Sequence, residues 1–153
     1  TTIENILSNR LVAPVVFSLM PNHIHICVEQ VSEKGISKFM HRVLLAYAKY
    51  YNEKYKMTGH LFQSKFGRVL VEDNEQLLHL SAYIHRNQRE LAGWRGSEHK
   101  YPWSSSTDYA NENRWGRLLS RQVILEQFMS QSDYHNFVLN SPAKAPETIG
   151  MDI

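Results

Sequence analysis

Residues 20–29, with the sequence MPNHIHICVE, decide the fold of this chain. Apolar residues occupy every second position from Ile24 to Val28, which is the period of a β-strand with two different faces. One face carries Ile24, Ile26 and Val28, and the other carries His23, His25 and Cys27. The apolar run from Val12 to Ser18 predicts a preceding strand, and Pro21-Asn22 predicts the turn between them. We therefore expect an antiparallel hairpin that carries both histidines on one face.

The residues after this hairpin change to a helical period. From Ile36 onward apolar side chains recur three, four and seven residues apart, which predicts an amphipathic helix of about five turns ending near Tyr55. The run from Phe66 to Val71 predicts a further strand. Asp73 and Gln76 have the spacing of a capping box, so a second helix is predicted to begin at Asp73.

The second half of the chain has weaker signals. Gly93 is a plausible end for the second helix, and two more helices are predicted over residues 121–130 and 133–139. Interleaved helices and antiparallel strands favour the α+β class. We expect one domain over residues 1–140, followed by a loose tail over residues 141–153.

Composition excludes several classes of protein. A length of 153 residues and a hydrophobic fraction of 42% suit one domain with a core. The 17 basic and 15 acidic residues exclude a disordered, highly charged tail, but not a nucleic-acid-binding protein with locally clustered bases. A single cysteine, Cys27, excludes an intramolecular disulfide and a four-cysteine zinc site. With no apolar run near the roughly 18 residues of a membrane helix and no signal peptide, we expect a cytoplasmic protein without a membrane partner.

The pair His23 and His25 is the first candidate site. Residues i and i+2 of a strand share a face, and two neutral imidazoles at that spacing suit a divalent metal ion. The bland alternative is a partly exposed histidine pair with no ligand. A histidine-triad nucleotide hydrolase is disfavoured because Cys27 stands where a third alternating histidine would be.

The second candidate is Tyr83, on the predicted helix that begins at Asp73. Asn87 follows four residues later and so shares its face. A tyrosine with a free pKa of about 10 becomes a nucleophile when it is aimed at an activated electrophile. The alternative is an ordinary half-buried tyrosine with a hydrated hydroxyl.

Two further stretches are distinctive. Residues 59–68, GHLFQSKFGR, mix bases, aromatic rings and amides, a composition that suits nucleic acid as well as an ordinary loop. Arg86 and Arg89 follow Tyr83, where a helix end also favours cations. Residues 101–106, YPWSSS, predict either a buried aromatic turn or a stacking surface.

Together these segments resemble the single-domain tyrosine transposases of the HUH nuclease superfamily, and most closely the REP-associated tyrosine transposases. The resemblance rests on four motifs in the family's order and at about its spacing. They are MPNHIHICV at residues 20–28, GHLFQ at 59–63, YIHRN at 83–87 and YPWSS at 101–105.

The resemblance implies an enzyme with a tyrosine nucleophile. His23, His25 and Asn87 would bind Mg²⁺ or Mn²⁺, and Tyr83 would attack a phosphodiester of single-stranded DNA. The product would be a 5′-phosphotyrosine and a free 3′-hydroxyl, and the reverse step would rejoin the strand. The substrate would be a DNA hairpin with single-stranded flanks, not a small molecule. Lys65, Arg68, Arg86 and Arg89 are the candidates for DNA backbone contacts.

The resemblance also implies a central antiparallel sheet with helices packed on it, close to the ferredoxin-like or RRM-like plan. The chain departs from the family pattern where members commonly have Asn-Pro, because it has Asn87-Gln88. Gln88 is therefore a competing amide ligand. The family's strand before the first helix is not found, and either a monomer or a homodimer is compatible with the resemblance.

Three other functions stay open at this point. A DNA-hairpin-binding module of the same fold that no longer cuts is disfavoured because Tyr83 and all three proposed ligands are present. A replication initiator often carries Lys where this chain has Asn87, and the chain is short for a relaxase. The remaining possibility is an α+β domain with an accidental histidine pair.

Overall fold

A computed structural model of the chain describes residues 2–63 and 65–142 and confirms the α+β class. Two neighbouring strands, β1 and β2, form an antiparallel hairpin. The strands are β1 Val12–Leu19 and β2 Ile24–Gln30. The helices are α1 Thr2–Ser8, α2 Gly35–Tyr55, α3 Asn74–Arg86, α4 Ser106–Ala110, α5 Gln122–Leu125 and α6 Gln131–Asn140. Short 3-10 turns lie at Asn87–Glu90, Glu98–Lys100 and Gly116–Leu118.

The described chain divides into two compact units. We call residues 2–12, 30–63 and 65–68 the α2 unit, and residues 13–29 and 69–142 the sheet unit. Every helix within the described residues is too short or too polar to cross a membrane.

The sheet unit has a hydrophobic core between the hairpin and the helices α3 and α6. The alternation predicted for β2 is confirmed, and the histidine face is the inner one. His25 and Cys27 are 8% and 9% exposed, whereas Ile24, Ile26 and Val28 are only half-buried. Core residues contributed by both strands and four helices are Val15, Val16, Cys27, Ala82, Ile84, Tyr109, Ile124, Tyr134 and Val138. Cys27 lies inside this core, where burial raises the pKa of its thiol to about 11.

Helix α3 begins as predicted and ends earlier than expected. The Asp73 carboxylate accepts from the Gln76 backbone N–H at 2.7 Å, and the Gln76 amide oxygen accepts from the Glu72 N–H at 2.7 Å. The α-helix stops at Arg86 and tightens into the 3-10 turn Asn87–Glu90, so it does not run on to Gly93.

Two predictions about secondary structure are wrong. Residues 66–71 form no strand; the backbone of β1 instead pairs with Ser104 through an antiparallel bridge at Ser18. Val71 packs on the core of the sheet unit, while Leu70 is 76% exposed. Residues 121–130 are α-helical only over Gln122–Leu125, because the N–H groups of Gln127 and Phe128 bond three residues back.

Other predictions fare better. Helix α2 matches its prediction and α6 covers the predicted residues 133–139, whereas α1 and α4 were not predicted. Of the predicted tail, Ser141 is buried, and residues 143–153 lie outside the described part of the chain.

The α2 unit consists mainly of one long helix. Gly35 opens α2 where a Cβ atom would lie 2.2 Å from the carbonyl oxygen of Leu11, so a side chain there would force the backbone apart. Gly35 is the one buried residue of this helix. Several rings of α2 are about half exposed, among them Tyr47, Tyr50 and Tyr55.

Candidate functional site

The turn of the hairpin places both histidines. The backbone N–H of Met20 donates to the carbonyl of His23 at 2.9 Å, and β2 starts at the next residue. The ring centroids of His23 and His25 lie 4.8 Å apart with an interplanar angle of 75°. His23 Nδ1 lies 2.7 Å from the side-chain amide oxygen of Asn22, an acceptor, so Nδ1 donates in this contact.

The surroundings of His25 keep it in the form that binds metal ions. Burial, followed by the nearby His23, lowers the pKa of the His25 imidazole to about 4. The ring is therefore neutral at pH 7, as a metal ligand must be.

Tyr83 faces this pair from helix α3. Its ring centroid lies 5.5 Å from that of His25 in an edge-to-face arrangement, and the residue is half-buried. Burial raises the pKa of the Tyr83 phenol, a side-chain hydrogen bond with Asn87 opposes the rise, and the charge of Glu90 adds to it. The phenol is therefore protonated at neutral pH, so a reaction at its oxygen must remove the proton during the step.

Gln88 is not available as a metal ligand. Its side chain is fully buried, and the amide oxygen accepts from Ser18 Oγ at 3.1 Å. The amide nitrogen donates to the carbonyl oxygens of His85 at 2.7 Å and Glu98 at 3.1 Å. Of the two neighbouring amides, Asn87 is therefore the one beside Tyr83.

A buried network of hydrogen bonds surrounds His85, and the sequence did not reveal it. Ser81 Oγ donates to the Leu78 carbonyl and accepts from the Tyr134 hydroxyl at 3.1 Å. The oxygen of the same Tyr134 hydroxyl accepts from His85 Nδ1 at 2.8 Å. His85 Nε2 lies 2.7 Å from the hydroxyl of Ser105. Burial lowers the pKa of His85 to about 3, and Asp108 opposes that effect. These hydrogen bonds connect α3 to α6. In the sequence, the only local sign of them is the four-residue spacing of Ser81 and His85, which puts both on one face of α3.

The four predicted DNA-contacting bases fall in different units. Lys65 and Arg68 are exposed residues of the α2 unit. Arg86 and Arg89 are half-buried residues of the sheet unit. The Arg86 guanidinium donates to the carbonyl of Ser141, and its pKa is lowered by burial and then by Arg89.

The donor set limits what ion could bind. Among residues 2–63 and 65–142, no three side chains of His, Cys, Asp or Glu lie together as a metal site. The side chains that remain as candidate donors are the imidazoles of His23 and His25, with ring centroids 4.8 Å apart, and the amide of Asn87 beside Tyr83. Nitrogen and amide oxygen donors of this kind suit a divalent ion.

Comparison with known families gives a match over the first part of the chain. The model of the family described as "Transposase IS200 like" matches residues 1–87, more than half of the chain. The matched region includes His23, His25 and Tyr83 and ends at Asn87. Comparisons with curated proteins and with solved structures gave no significant match.

Proposed function

The chain belongs to the IS200-like transposase family, and from this premise we propose that it cuts and rejoins single-stranded DNA at hairpin sequences. The single observation that carries the proposal is the convergence of Tyr83 and two histidines in the sheet unit. Tyr83 lies 5.5 Å from His25, and His25 lies 4.8 Å from His23, measured between ring centroids. We also propose that the chain falls in the REP-associated group, which the four motifs at residues 20–28, 59–63, 83–87 and 101–105 together resemble.

The proposed reaction is a transesterification. The Tyr83 oxygen attacks the phosphorus, the bond to the 3′ oxygen breaks, and that oxygen leaves as a 3′-hydroxyl with a proton. A 5′-phosphotyrosine remains, and attack by a 3′-hydroxyl reverses the step without ATP. His23, His25 and Asn87 would hold Mg²⁺ or Mn²⁺, which when bound would polarise the phosphate and stabilise its developing charge.

The distribution of charge supports a polyanionic substrate. Residues 34–68 contain eight Lys or Arg residues and one acidic residue, Glu53. The chain totals are 17 and 15, so the remaining residues hold nine bases and fourteen acids. The segment that contains Lys65 and Arg68 therefore concentrates the positive charge, as electrostatic attraction of DNA requires.

The test is a search for a covalent protein–DNA adduct. The protein is mixed with labelled DNA hairpins that carry varied single-stranded flanks, with Mn²⁺ or Mg²⁺ or with EDTA. We expect a denaturant-resistant band that needs metal, disappears in Tyr83→Phe and persists in the matched variant Tyr50→Phe. Adduct formation by Tyr83→Phe would exclude Tyr83 as the nucleophile.

A second candidate is a hairpin-binding module that does not cut. The observation in its favour is the raised pKa of the Tyr83 phenol, which makes the nucleophilic form scarcer. If the protein is such a binding module, the same experiment should show tight hairpin binding and no covalent adduct.

A further inference from the structure

Helix α2 carries a cluster of tyrosines on one side. Tyr47, Tyr50, Tyr51 and Tyr55 are three or four residues apart, a spacing that places side chains on one face of a helix. The ring centroid of Tyr47 lies 6.4 Å from that of Tyr50 and 6.3 Å from that of Tyr51. Those of Tyr51 and Tyr55 lie 4.5 Å apart. We call these four residues the tyrosine face; three of its rings, those of Tyr47, Tyr50 and Tyr55, are 48%, 55% and 54% exposed.

A lysine lies within the tyrosine face. Lys54 follows Tyr47 by seven residues, which is about two turns along the same side of the helix. Its Nζ atom lies 5.5 Å from the ring centroid of Tyr50 and 5.4 Å from that of Tyr55, within the range of a cation–π contact. Lys54 is itself exposed, so its charge is open to a ligand. The face therefore offers aromatic rings and a positive charge side by side.

The charge of α2 favours an anionic ligand. The helix contains Lys38, Arg42, Lys49 and Lys54 against a single acidic residue, Glu53. Lysine is depleted at the centres of protein interfaces, because burying an ammonium group without a partner is costly. Nucleic acids instead bring a phosphate for every such charge. This excess of positive charge therefore favours a nucleic acid over a protein as the occupant of the face.

The exposed rings decide which form of nucleic acid suits the face. In a duplex the bases are stacked on one another, so their π-faces are not available to a side chain. Unpaired bases have free π-faces, and proteins that bind single strands combine basic residues with aromatic rings in this way. Stacking of one base changes affinity by about 5- to 100-fold on alanine substitution, and it tolerates many sequences.

We propose that the tyrosine face of α2 binds single-stranded DNA by stacking unpaired bases on its rings, while the lysines and arginine of the helix neutralise the phosphates. The contact uses none of the residues assigned to the cleavage reaction and has little sequence preference. The inference rests on the proposed function only for the choice of DNA over RNA.

The experiment measures binding of the full chain to labelled single strands by fluorescence anisotropy. EDTA is present, so that metal-dependent cleavage does not occur. One probe is an oligo-dT strand of about 16 nucleotides, and the other is a strand of equal length and charge made of abasic units. We expect the parent protein to bind oligo-dT at least about fivefold more tightly than the abasic strand.

Tyr50→Ala and Tyr55→Ala each remove one exposed ring. Each variant should weaken binding of oligo-dT about 5- to 100-fold, because a stacked base is lost. Binding of the abasic strand should stay within about twofold, since the phosphate contacts persist. Tyr50→Phe keeps the ring and should keep most of the affinity.

Leu45→Ala is the matched control. Leu45 is on the same helix and is 47% exposed, but it precedes Tyr47 by two residues and so lies on a different side. This variant should bind both strands as the parent does. Oligo-dT binding that is unchanged in both tyrosine variants, with melting temperatures that show an intact fold, overturns the proposal. Equal losses for oligo-dT and the abasic strand also overturn it, because stacking is then not involved.

Two further arms test the choice of ligand. A uridine RNA strand that binds more tightly than oligo-dT would overturn the choice of DNA. Sedimentation tests whether a second copy of the chain covers the face instead. Self-association that is lost in Tyr50→Ala, with no weakening of oligo-dT binding, would make the face a contact between copies and the proposal wrong.

The outcomes separate this inference from the proposed function. The adduct experiment depends on Tyr83 and metal, whereas oligo-dT binding in EDTA depends on α2. If no adduct forms but Tyr50→Ala weakens oligo-dT binding selectively, the cutting activity is wrong and the tyrosine face stands. If adducts form and Tyr50→Ala binds oligo-dT as the parent does, only the tyrosine face is wrong.

Discussion

The two units of this chain use their polar and aromatic side chains in opposite ways. In the sheet unit, His85, Tyr134 and Gln88 are buried and joined by hydrogen bonds of 2.7–3.1 Å. In the α2 unit, Tyr47 and Tyr50 are about half exposed, on a helix whose segment carries a large excess of positive charge. The net charge of +2 for the whole chain does not reveal that the positive charge is concentrated in residues 34–68.

The largest effect is expected from the chemistry assigned to the sheet unit. His25→Ala removes one proposed ligand, and we expect metal-dependent cleavage to fall by roughly 1,000-fold, because metal polarisation supplies several kcal/mol. Hairpin binding, measured by fluorescence anisotropy, should change by less than about threefold, since phosphate contacts dominate it.

The control is His79→Ala, on the same unit but with a 48% exposed side chain near Glu75. It should cut normally. If His25→Ala weakened hairpin binding as much as it slowed cleavage, His25 would contribute to DNA binding and not specifically to the cleavage step.

An ion pair between a buried carboxylate and an exposed guanidinium provides the next effect. Asp108 is fully buried and accepts two hydrogen bonds of 2.8 Å from Arg114. Asp108→Ala removes these charged hydrogen bonds and should lower the free energy of unfolding by about 2 kcal/mol, or about 4–8 °C in Tm. The control Asp133→Ala, at an exposed carboxylate, should cost less than about 1 kcal/mol.

The same pair has a signed dependence on pH. Burial raises the pKa of Asp108, but the hydrogen bonds and charge of Arg114 outweigh it and hold the pKa below its usual range. A depressed pKa stabilises the fold above the unfolded value of about 3.9 and loses that contribution as pH falls through the folded pKa. Thermal melts of wild type and Asp108→Ala should therefore converge in acid; a constant difference down to pH 2 would contradict this account.

A smaller effect compares one hydroxyl group in each unit. Tyr134→Phe leaves His85 Nδ1 and Ser81 with one partner fewer in the interior and should cost about 1–2 kcal/mol in urea unfolding. Tyr47→Phe, at a 48% exposed ring, should stay within about 0.5 kcal/mol. If both variants lost the same free energy of unfolding, the buried hydrogen bonds around His85 would stabilise the fold no more than an exposed hydroxyl does.

The smallest effect tests the charge of the α2 unit. Lys49→Gln and Lys54→Gln should each weaken hairpin binding severalfold and reduce the slope of log K against log salt by about 1. Cutting at saturating DNA should not change. Lys100→Gln, an exposed residue of the sheet unit, is the control, and an equal change in slope there would show that the positive charge does not act through α2.

Local patterns account for what the sequence predicted correctly. The alternation of β2, the period of α2 and the Asp73–Gln76 cap depend on residues within a few positions, so they follow from spacing alone. The roles of Tyr83, His23, His25 and Asn87 stay predictions, although the structure brings these side chains together.

The features that the sequence did not reveal depend on distant partners. Gln88 bonds to Ser18 across 70 positions and His85 to Ser105 across 20, so no local period encodes either contact. The strand expected at residues 66–71 failed for a related reason. A strand needs a partner strand to pair with, and the apolar run at residues 66–71 does not itself specify one.

The buried thiol of Cys27 has a practical consequence for following this protein in solution. It is the only cysteine of the chain, is 9% exposed, and has a pKa of about 11, so almost no reactive thiolate exists at pH 7. Cysteines introduced at Met57 and Met129, which are 55% and 98% exposed, would then be the only sites that take up maleimide dyes. One dye in each unit would allow their separation to be measured by energy transfer, with and without DNA, in an otherwise native chain.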